Sequence, residues 1–439
     1  MKKVLSIVGA LLIAAVIGGC LYLNSLMPII TGYAAKNLAS AVFVSGRDAK
    51  TVEDLDLNFS FIRFNNNKVD YKNKTVTSRF LWGKATAAYR EGYGVTLLRG
   101  AQANELEQQV CSFSDESMPL RPLPMGDSAT KARLEPIAKA FVDDRAYNGH
   151  PFAFVVLHKG GVVAERYDKG ITPEMKLLSW SMAKSFTNAI AGIMVRDRLV
   201  DIYAPMDIPE WQNDDRKDIT INDLMQMQSG LEWNENYGAR SDVNLMLHRE
   251  QDMGLYALNK PLEHKPGSFW YYSSGSTNIV MRYLCEKFPS DQAFLAYVHA
   301  KLFAPLGIRN AVFESDMSGT PVGSSYLYIT ATDFARFGQL YLDDGCVDSL
   351  RVLPEGWVNY TTAPASNSEN GYGSFFWLNR GKELPDVPED MYYCKGHDGQ
   401  RIFVIPSKDL VVAILGYSPM PDHVIDFNAL LKDIISNID

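Results

Sequence analysis

The sequence predicts an α+β chain, and three features carry that prediction. Phe152 to His158 is a short apolar run, followed by the turn Lys159-Gly160-Gly161 and then by Val162 to Tyr167, which reads as a β-hairpin. A second hairpin comes near the end: Arg401 to Pro406, a turn at Ser407-Lys408-Asp409, and Leu410 to Tyr417, with a helical pattern from about His423 to Ile435. Between the two, apolar residues recur at helical spacing, as in Phe186, Ile190, Ile193 and Met194, and again in Ile279, Val280, Tyr283 and Leu284. Strands paired in hairpins with helices between them predict an antiparallel sheet flanked by helices.

The chain has 439 residues, enough for one large or two modest domains. A net charge of −8 gives no support for nucleic-acid binding, which relies on basic patches. Five cysteines without a CxxC pair and seven histidines without an HExxH pattern predict no metal site. At the N-terminus, Met1-Lys2-Lys3 is basic and Val4 to Gly19 carries no charge. Cys20 follows Ile17-Gly18-Gly19, as at a bacterial lipoprotein cleavage site, yet apolar sequence continues through Leu23 and makes about 20 uncharged residues, enough to span a bilayer. Residues 1–23 are therefore a signal peptide or a membrane anchor. The rest is exported, periplasmic or extracytoplasmic, and held at the membrane by the N-terminal helix or a lipidated Cys20. Cys111, Cys285, Cys346 and Cys394 could then pair, and their spacing does not decide it.

Residues 24–128 read as a separate, small β-rich region. Phe59 to Phe64 and Lys74 to Thr77 look like short strands around an Asn65-Asn66-Asn67 turn, and Pro119, Pro122, Pro124 and Gly126 look like a closing linker. The region would cover the cleft or space the enzyme from the membrane. Residues 129–439 form the main domain. Its first helix is expected to begin around Pro136, with Ile137, Ala140 and Phe141 on one face. Thr220 with Asp223 predicts a capped helix start and Gly230 its end. The loop Glu232 to Gly238 is polar and aromatic, suited to lining a cleft or to an ordinary surface.

Ser181-Met182-Ala183-Lys184 opens a helical pattern. Residues three apart share a helix face, so the Lys184 amine would reach the Ser181 hydroxyl, a weak nucleophile that needs a proton acceptor. The helix start would also favour developing negative charge. By itself the pattern fits a capped surface helix equally well. Tyr271-Tyr272-Ser273-Ser274 follows Pro266-Gly267 and precedes another helix; a phenol beside an ammonium can titrate below its usual value and act as a base. Gly396-His397-Asp398-Gly399-Gln400 precedes the second hairpin, and its glycines would let the backbone approach a ligand.

Ser-x-x-Lys, Tyr-Ser-Ser and His-Asp-Gly in this order resemble the serine β-lactamase and penicillin-binding-protein superfamily, over roughly residues 130 to 437. The stretches Leu224 to Leu231 and Pro266 to Gly275 add to the likeness, which is greatest to the class C-like branch of esterases, D-peptidases and nylon-oligomer hydrolases. The resemblance implies an antiparallel sheet shared by the N- and C-terminal strands, with an inserted helical domain. It implies Ser181 as the acylated nucleophile, Lys184 as proton shuttle and Tyr272 as base and acid. The backbone N–H groups of Ser181 and Gln400 would form the oxyanion hole, and Gly399, His397, Ser274 and Tyr237 would contact substrate. It implies no metal or organic cofactor. Penicillin-directed members carry Asn where Ser274 stands and Lys where His397 stands, which favours a small ester, amide or peptide substrate over a β-lactam. The expected activity is that of a serine hydrolase. A β-lactamase or cell-wall D-peptidase is the alternative, and a membrane-tethered sensor that is acylated once is the alternative of another class.

Overall fold

The computed structural model describes residues 2–100, 111 and 121–438, with side chains from Ile7 onward. Pro119 of the expected linker lies outside the described residues. One helix, α1 (Lys2–Phe43), carries the chain from an exposed apolar stretch into the body without a break at residue 23. Leu11, Leu12, Ile13, Val16, Ile17, Leu21 and Tyr22 are exposed, whereas Met27, Ile30, Ala34, Ala35, Leu38 and Ala39 are buried. The buried set recurs at three- and four-residue spacing, so one face is covered. What covers it is a four-stranded antiparallel sheet of β1 (Asn66–Asp70), β2 (Thr75–Phe80), β3 (Gly83–Arg90) and β4 (Gly94–Leu98). Val76, Ala85, Ala87, Val95 and Leu97 meet the helix, and small residues on both sides let it lie close. The expected strand at Phe59–Phe64 is instead a loop ending in a 3-10 turn at Ile62–Phe64, of which only Ile62 is buried; the Asn66-Asn67 pair, expected in a turn, begins β1.

The main body is built on a six-stranded antiparallel sheet. Its first strands are β5 (Pro151–His158) and β6 (Gly161–Tyr167), joined at Lys159 and Gly160, both with positive φ as a tight hairpin turn requires. The remaining strands are β7 (Trp377–Leu378), β8 (Tyr392–Lys395), β9 (Arg401–Ile405) and β10 (Leu410–Gly416), in the order β7-β8-β9-β10-β5-β6. β10 pairs with β5, Leu410 opposite His158 and Ile414 opposite Phe154, so the early and late hairpins share one sheet.

Every residue of β5 is buried because both faces of the sheet are covered. Ala153, Val155 and Leu157 face α3 (Ala183–Arg196) and its neighbours, including Phe186 and Phe337. Phe154 and Val156 face α2 (Ser128–Val142) and the last helix, Phe427–Ser436, through Phe141, Leu134, Leu430 and Ile434. Helices between β6 and β7 fill the other side of the cleft, among them α4 (Asp242–Arg249) and α5 (Ser274–Cys285).

α2 starts well before Pro136. Asp127 caps it by accepting from Thr130 N at 2.7 Å, and Pro136 sits inside the helix on its exposed side, where the freed carbonyl can meet solvent. Thr220 and Asp223 form the expected reciprocal cap, but that helix ends at Met225. Gly230 belongs to a later turn, where φ is +75° and a Cβ would lie 2.0 Å from the His264 carbonyl. The last helix begins at Phe427, not His423, capped by Asp426. All five cysteines are free.

The N-terminal unit is fastened to the body through Glu314. Lys36 makes a fully buried ion pair with its carboxylate, Ser40 Oγ donates to it at 2.9 Å, and Val95 N donates at 2.9 Å. Arg99 adds a clamp, donating to Pro28 O on α1 at 2.8 Å and to His248 O on α4. Lys36→Met would leave a buried carboxylate unpaired and is expected to destabilise the protein by about 3 kcal/mol in denaturant unfolding. Lys36→Met with Glu314→Gln should recover most of that loss; equal destabilisation in both variants would show that the pair is not what fastens the unit.

Candidate active site

Ser181 stands in a 3-10 turn, Trp180–Met182, that runs straight into α3. Trp180 has φ +45°, a conformation costing on the order of 1–3 kcal/mol for a bulky residue. It is held there by aromatic rings: Tyr33 of α1 stacked at 6.3 Å, Tyr326 at 6.1 Å and the edge of His397 at 5.5 Å. One turn into the helix, Lys184 turns its amine back toward the serine. Its Nζ donates to Ser181 Oγ at 3.0 Å, to Ser274 Oγ at 2.9 Å and to the Ser324 carbonyl at 3.0 Å. Lys184 is 1% exposed. Burial pulls its pKa down to about 8, against the opposing pull of the Glu235 carboxylate.

Tyr272 sits on the loop before α5, anchored where Tyr271 N donates to Met227 O at 2.9 Å. The Lys184 ammonium lies 4.9 Å from the centre of its ring. Trp377 and Tyr372 wall it in at 5.5 and 6.0 Å. Burial, and after it the Glu235 charge, raise its pKa above that of an ordinary phenol. The direction is opposite to the lowering expected from the neighbouring ammonium, because enclosure by rings penalises the anion more than the cation favours it.

Ser274, expected to contact substrate, is fully buried. Its Oγ accepts from Lys184 and donates to Glu235 Oε1 at 2.5 Å, while its N–H donates to Glu235 Oε2 at 2.9 Å. Glu235, not singled out in the sequence, is held in turn by Trp233 Nε1 at 2.6 Å. Its contact with Ser274 joins two loops far apart in the chain, and no local pattern marks it.

The His397 loop presses on the nucleophile strand. A Cβ at Gly396 would lie 2.4 Å from the Ser179 carbonyl, and Gly399 has φ +90°. The His397 ring stacks on Tyr237 at 4.8 Å and is half-exposed at the cleft. The Gln400 side chain fixes the loop to β10, donating to Gly416 O at 2.6 Å and accepting from Gly416 N at 2.8 Å. The Gln400 main-chain N–H makes a long 3.4 Å bond to His397 O. Arg401, its pKa lowered to about 10 by burial, braces the same turn through Gly396 O and Gln400 O at 2.9 and 2.8 Å. The cleft that results has a volume of about 330 Å³; Ser181, Tyr237, Tyr272, His397 and Gly399 open onto it, with apolar walls from Trp377, Ile425 and Phe427. Cys20 lies far from it, exposed on α1.

An antiparallel sheet closed by the two ends of the body, with a Ser-x-x-Lys helix packed on one face, defines a β-lactamase-type hydrolase. The Beta-lactamase family model matches residues 137–429, and the chain belongs to that family of hydrolases. The 6-aminohexanoate-dimer hydrolase of Paenarthrobacter ureafaciens is 26% identical over 338 residues, covering 70% of this chain and 84% of that protein. Among solved structures, a protein from Bacillus anthracis described as a 6-aminohexanoate-dimer hydrolase superposes with a TM-score of 0.59 at 20% identity, over 72% of this chain and 87% of its own. EstCE1, described as a hydrolase with promiscuous acyltransferase activity, gives 0.56 at 13% identity, over 71% and 99%. These structures share the fold.

Lys184 must be neutral to accept a proton, so hydrolysis is expected to rise as pH climbs through about 8. Glu235→Gln removes a charge that favours the ammonium form, so the same rise should occur at lower pH in a profile of kcat/KM. A shift toward higher pH would show that Glu235 does not act on Lys184 through its charge.

Proposed function

We propose that this chain is a serine hydrolase that cleaves a carboxylic ester or amide through an acyl-enzyme on Ser181. The observation that carries the reading is the buried Lys184 amine 3.0 Å from Ser181 Oγ. In this reading, neutral Lys184 takes the Ser181 proton as Oγ attacks the carbonyl carbon. The oxyanion is met by the main-chain N–H groups of Ser181 and Gln400. Tyr272 gives its proton to the leaving oxygen or nitrogen and is reprotonated from Lys184, so the serine proton ends on Tyr272 and the site returns to its starting protonation state. Water repeats the sequence in reverse to release the acid.

Ser274 is committed to Glu235 and Lys184, and half-exposed His397 stands where a fixed cation would face a carboxylate. Both favour a simple ester or amide over a β-lactam. The amide substrate named for the Paenarthrobacter relative is compatible with the apolar walls of this cleft. We place the enzyme outside the cytoplasm, held at the membrane through α1 or a lipidated Cys20, since the exposed apolar stretch of α1 is long enough to cross a bilayer.

Incubation of the full chain with a fluorophosphonate is expected to give one adduct on Ser181, read by intact mass, and repeated turnover of short p-nitrophenyl esters. Ser181→Ala should abolish both with unchanged melting, a loss on the order of 10³-fold or more. Lys184→Ala and Tyr272→Phe should each lose at least about 10²-fold. Wild-type rates from Ser181→Ala would sink the reading, and an adduct without turnover would favour the acylated sensor.

A further inference from the structure

The surface beside the point where α1 leaves the body is unusually apolar for a soluble face. Leu81 and Trp82 form the tip of the β2–β3 hairpin and are 64% and 56% exposed. Trp82 Nε1 donates to Asn24 Oδ1 at 3.0 Å, which sets the tip level with the end of the exposed helical stretch. Phe61 and Phe64, 50% and 62% exposed, lie against Phe80 of the same hairpin at 6.2 and 6.5 Å. Exposed Arg63, Arg79 and Lys84 stand among these rings, Arg79 and Lys84 as cross-strand partners.

The patch adjoins an apolar helix, carries exposed tryptophan and phenylalanine side chains, and is edged by cations. Aromatic side chains favour the headgroup level of a bilayer, and nearby Lys and Arg side chains are attracted to an anionic leaflet. The other end of the small sheet differs. Tyr71, in the β1–β2 turn, packs on Phe43 at 6.1 Å, about 28 Å further along the helix axis at 1.5 Å per residue.

We propose that the β2–β3 hairpin tip and the Phe61–Phe64 turn form a seat for the headgroup region of an anionic lipid bilayer. The proposal rests on Ile7–Tyr22 lying in that bilayer. The N-terminal unit then fixes the enzyme's height: Tyr33, which packs on Trp180 beside Ser181, lies about 14 Å along α1 from Asn24. The unit works as a rigid stand.

Trp82 reports on this directly. Of the seven tryptophans it is the exposed one; Trp180, Trp211, Trp233 and Trp357 are buried, and Trp270 and Trp377 partly so. The full chain is reconstituted in vesicles of phosphatidylcholine and phosphatidylglycerol brominated high on the acyl chain, and tryptophan quenching is measured. The expected result is a quenched component in the wild type that Trp82→Phe loses, while ester turnover is unchanged. Tyr71→Trp in the Trp82→Phe background should stay unquenched. Equal quenching in wild type and Trp82→Phe would overturn the proposal, as would quenching at position 71 as strong as at 82. Cross-linking of position 82 to a second copy without lipid quenching would overturn it in favour of a dimer contact. Turnover on the same vesicles reads the hydrolase assignment separately.

Discussion

A lysine amine held away from water organises this molecule. With 1% of its surface exposed, Lys184 must find its partners within the protein, and three oxygens from three segments supply them: Ser181 of its own turn, Ser274 of α5 and the carbonyl of Ser324. The carboxylate nearest in the network, Glu235, acts through the Ser274 hydroxyl rather than by contact. With a hydroxyl interposed, burial outweighs attraction and the pKa falls to about 8. Lys36 is buried as well and its pKa is also lowered by burial, but it meets Glu314 directly and fastens one unit to another.

The N-terminal unit belongs to this arrangement from behind. Among the described residues, none before Ser181 lines the cleft. Instead, Tyr33 backs the strained Trp180, and a small enclosed cavity of about 50 Å³ between α1 and the body is bounded by Tyr33, Trp180, Asp398 and Gln400. Trp180, next to Ser181, and Gln400, the proposed oxyanion donor, thus share a wall with the helix. Strain at Trp180 persists because that wall, Tyr326 and His397 leave the ring no other place.

Much of the fold was legible because period-two and period-3.6 patterns are local. The hairpins at 152–167 and 401–417 and the apolar stripe of α3 could be read directly from spacing. Pro136 misplaced the start of α2, because a proline is tolerated where its helix face is solvated and only the Asp127 cap reveals the true beginning. Phe59 to Phe64 alternates like a strand, yet its aromatic residues are spread over a loop surface rather than a sheet face. At the site, the Ser181–Lys184 pair is a matter of helical spacing and was visible. The Glu235–Ser274 link and the raised pKa of Tyr272 were not, since both depend on which distant rings and charges the fold brings near.

The commitment of Ser274 also bears on specificity. Its hydroxyl is taken up by Lys184 and Glu235, and in the proposed reading recognition falls to the cleft walls. Of the two cations there, Arg401 is bound to two carbonyls and serves the loop. Lys395, partly exposed, rests on Trp377 at 4.5 Å and reaches Glu383 at 3.3 Å, and it is the cation a substrate could engage. Beside the polar Glu235, Asp398 and Ser418, Trp377, Ile425 and Phe427 supply apolar walls. Such surfaces discriminate weakly, about 1–3 kcal/mol per methylene. In the reading of an acyl-enzyme on Ser181, rejection of a wrong substrate therefore depends on shape and length along Trp377, Ile425 and Phe427 more than on a matched hydrogen bond.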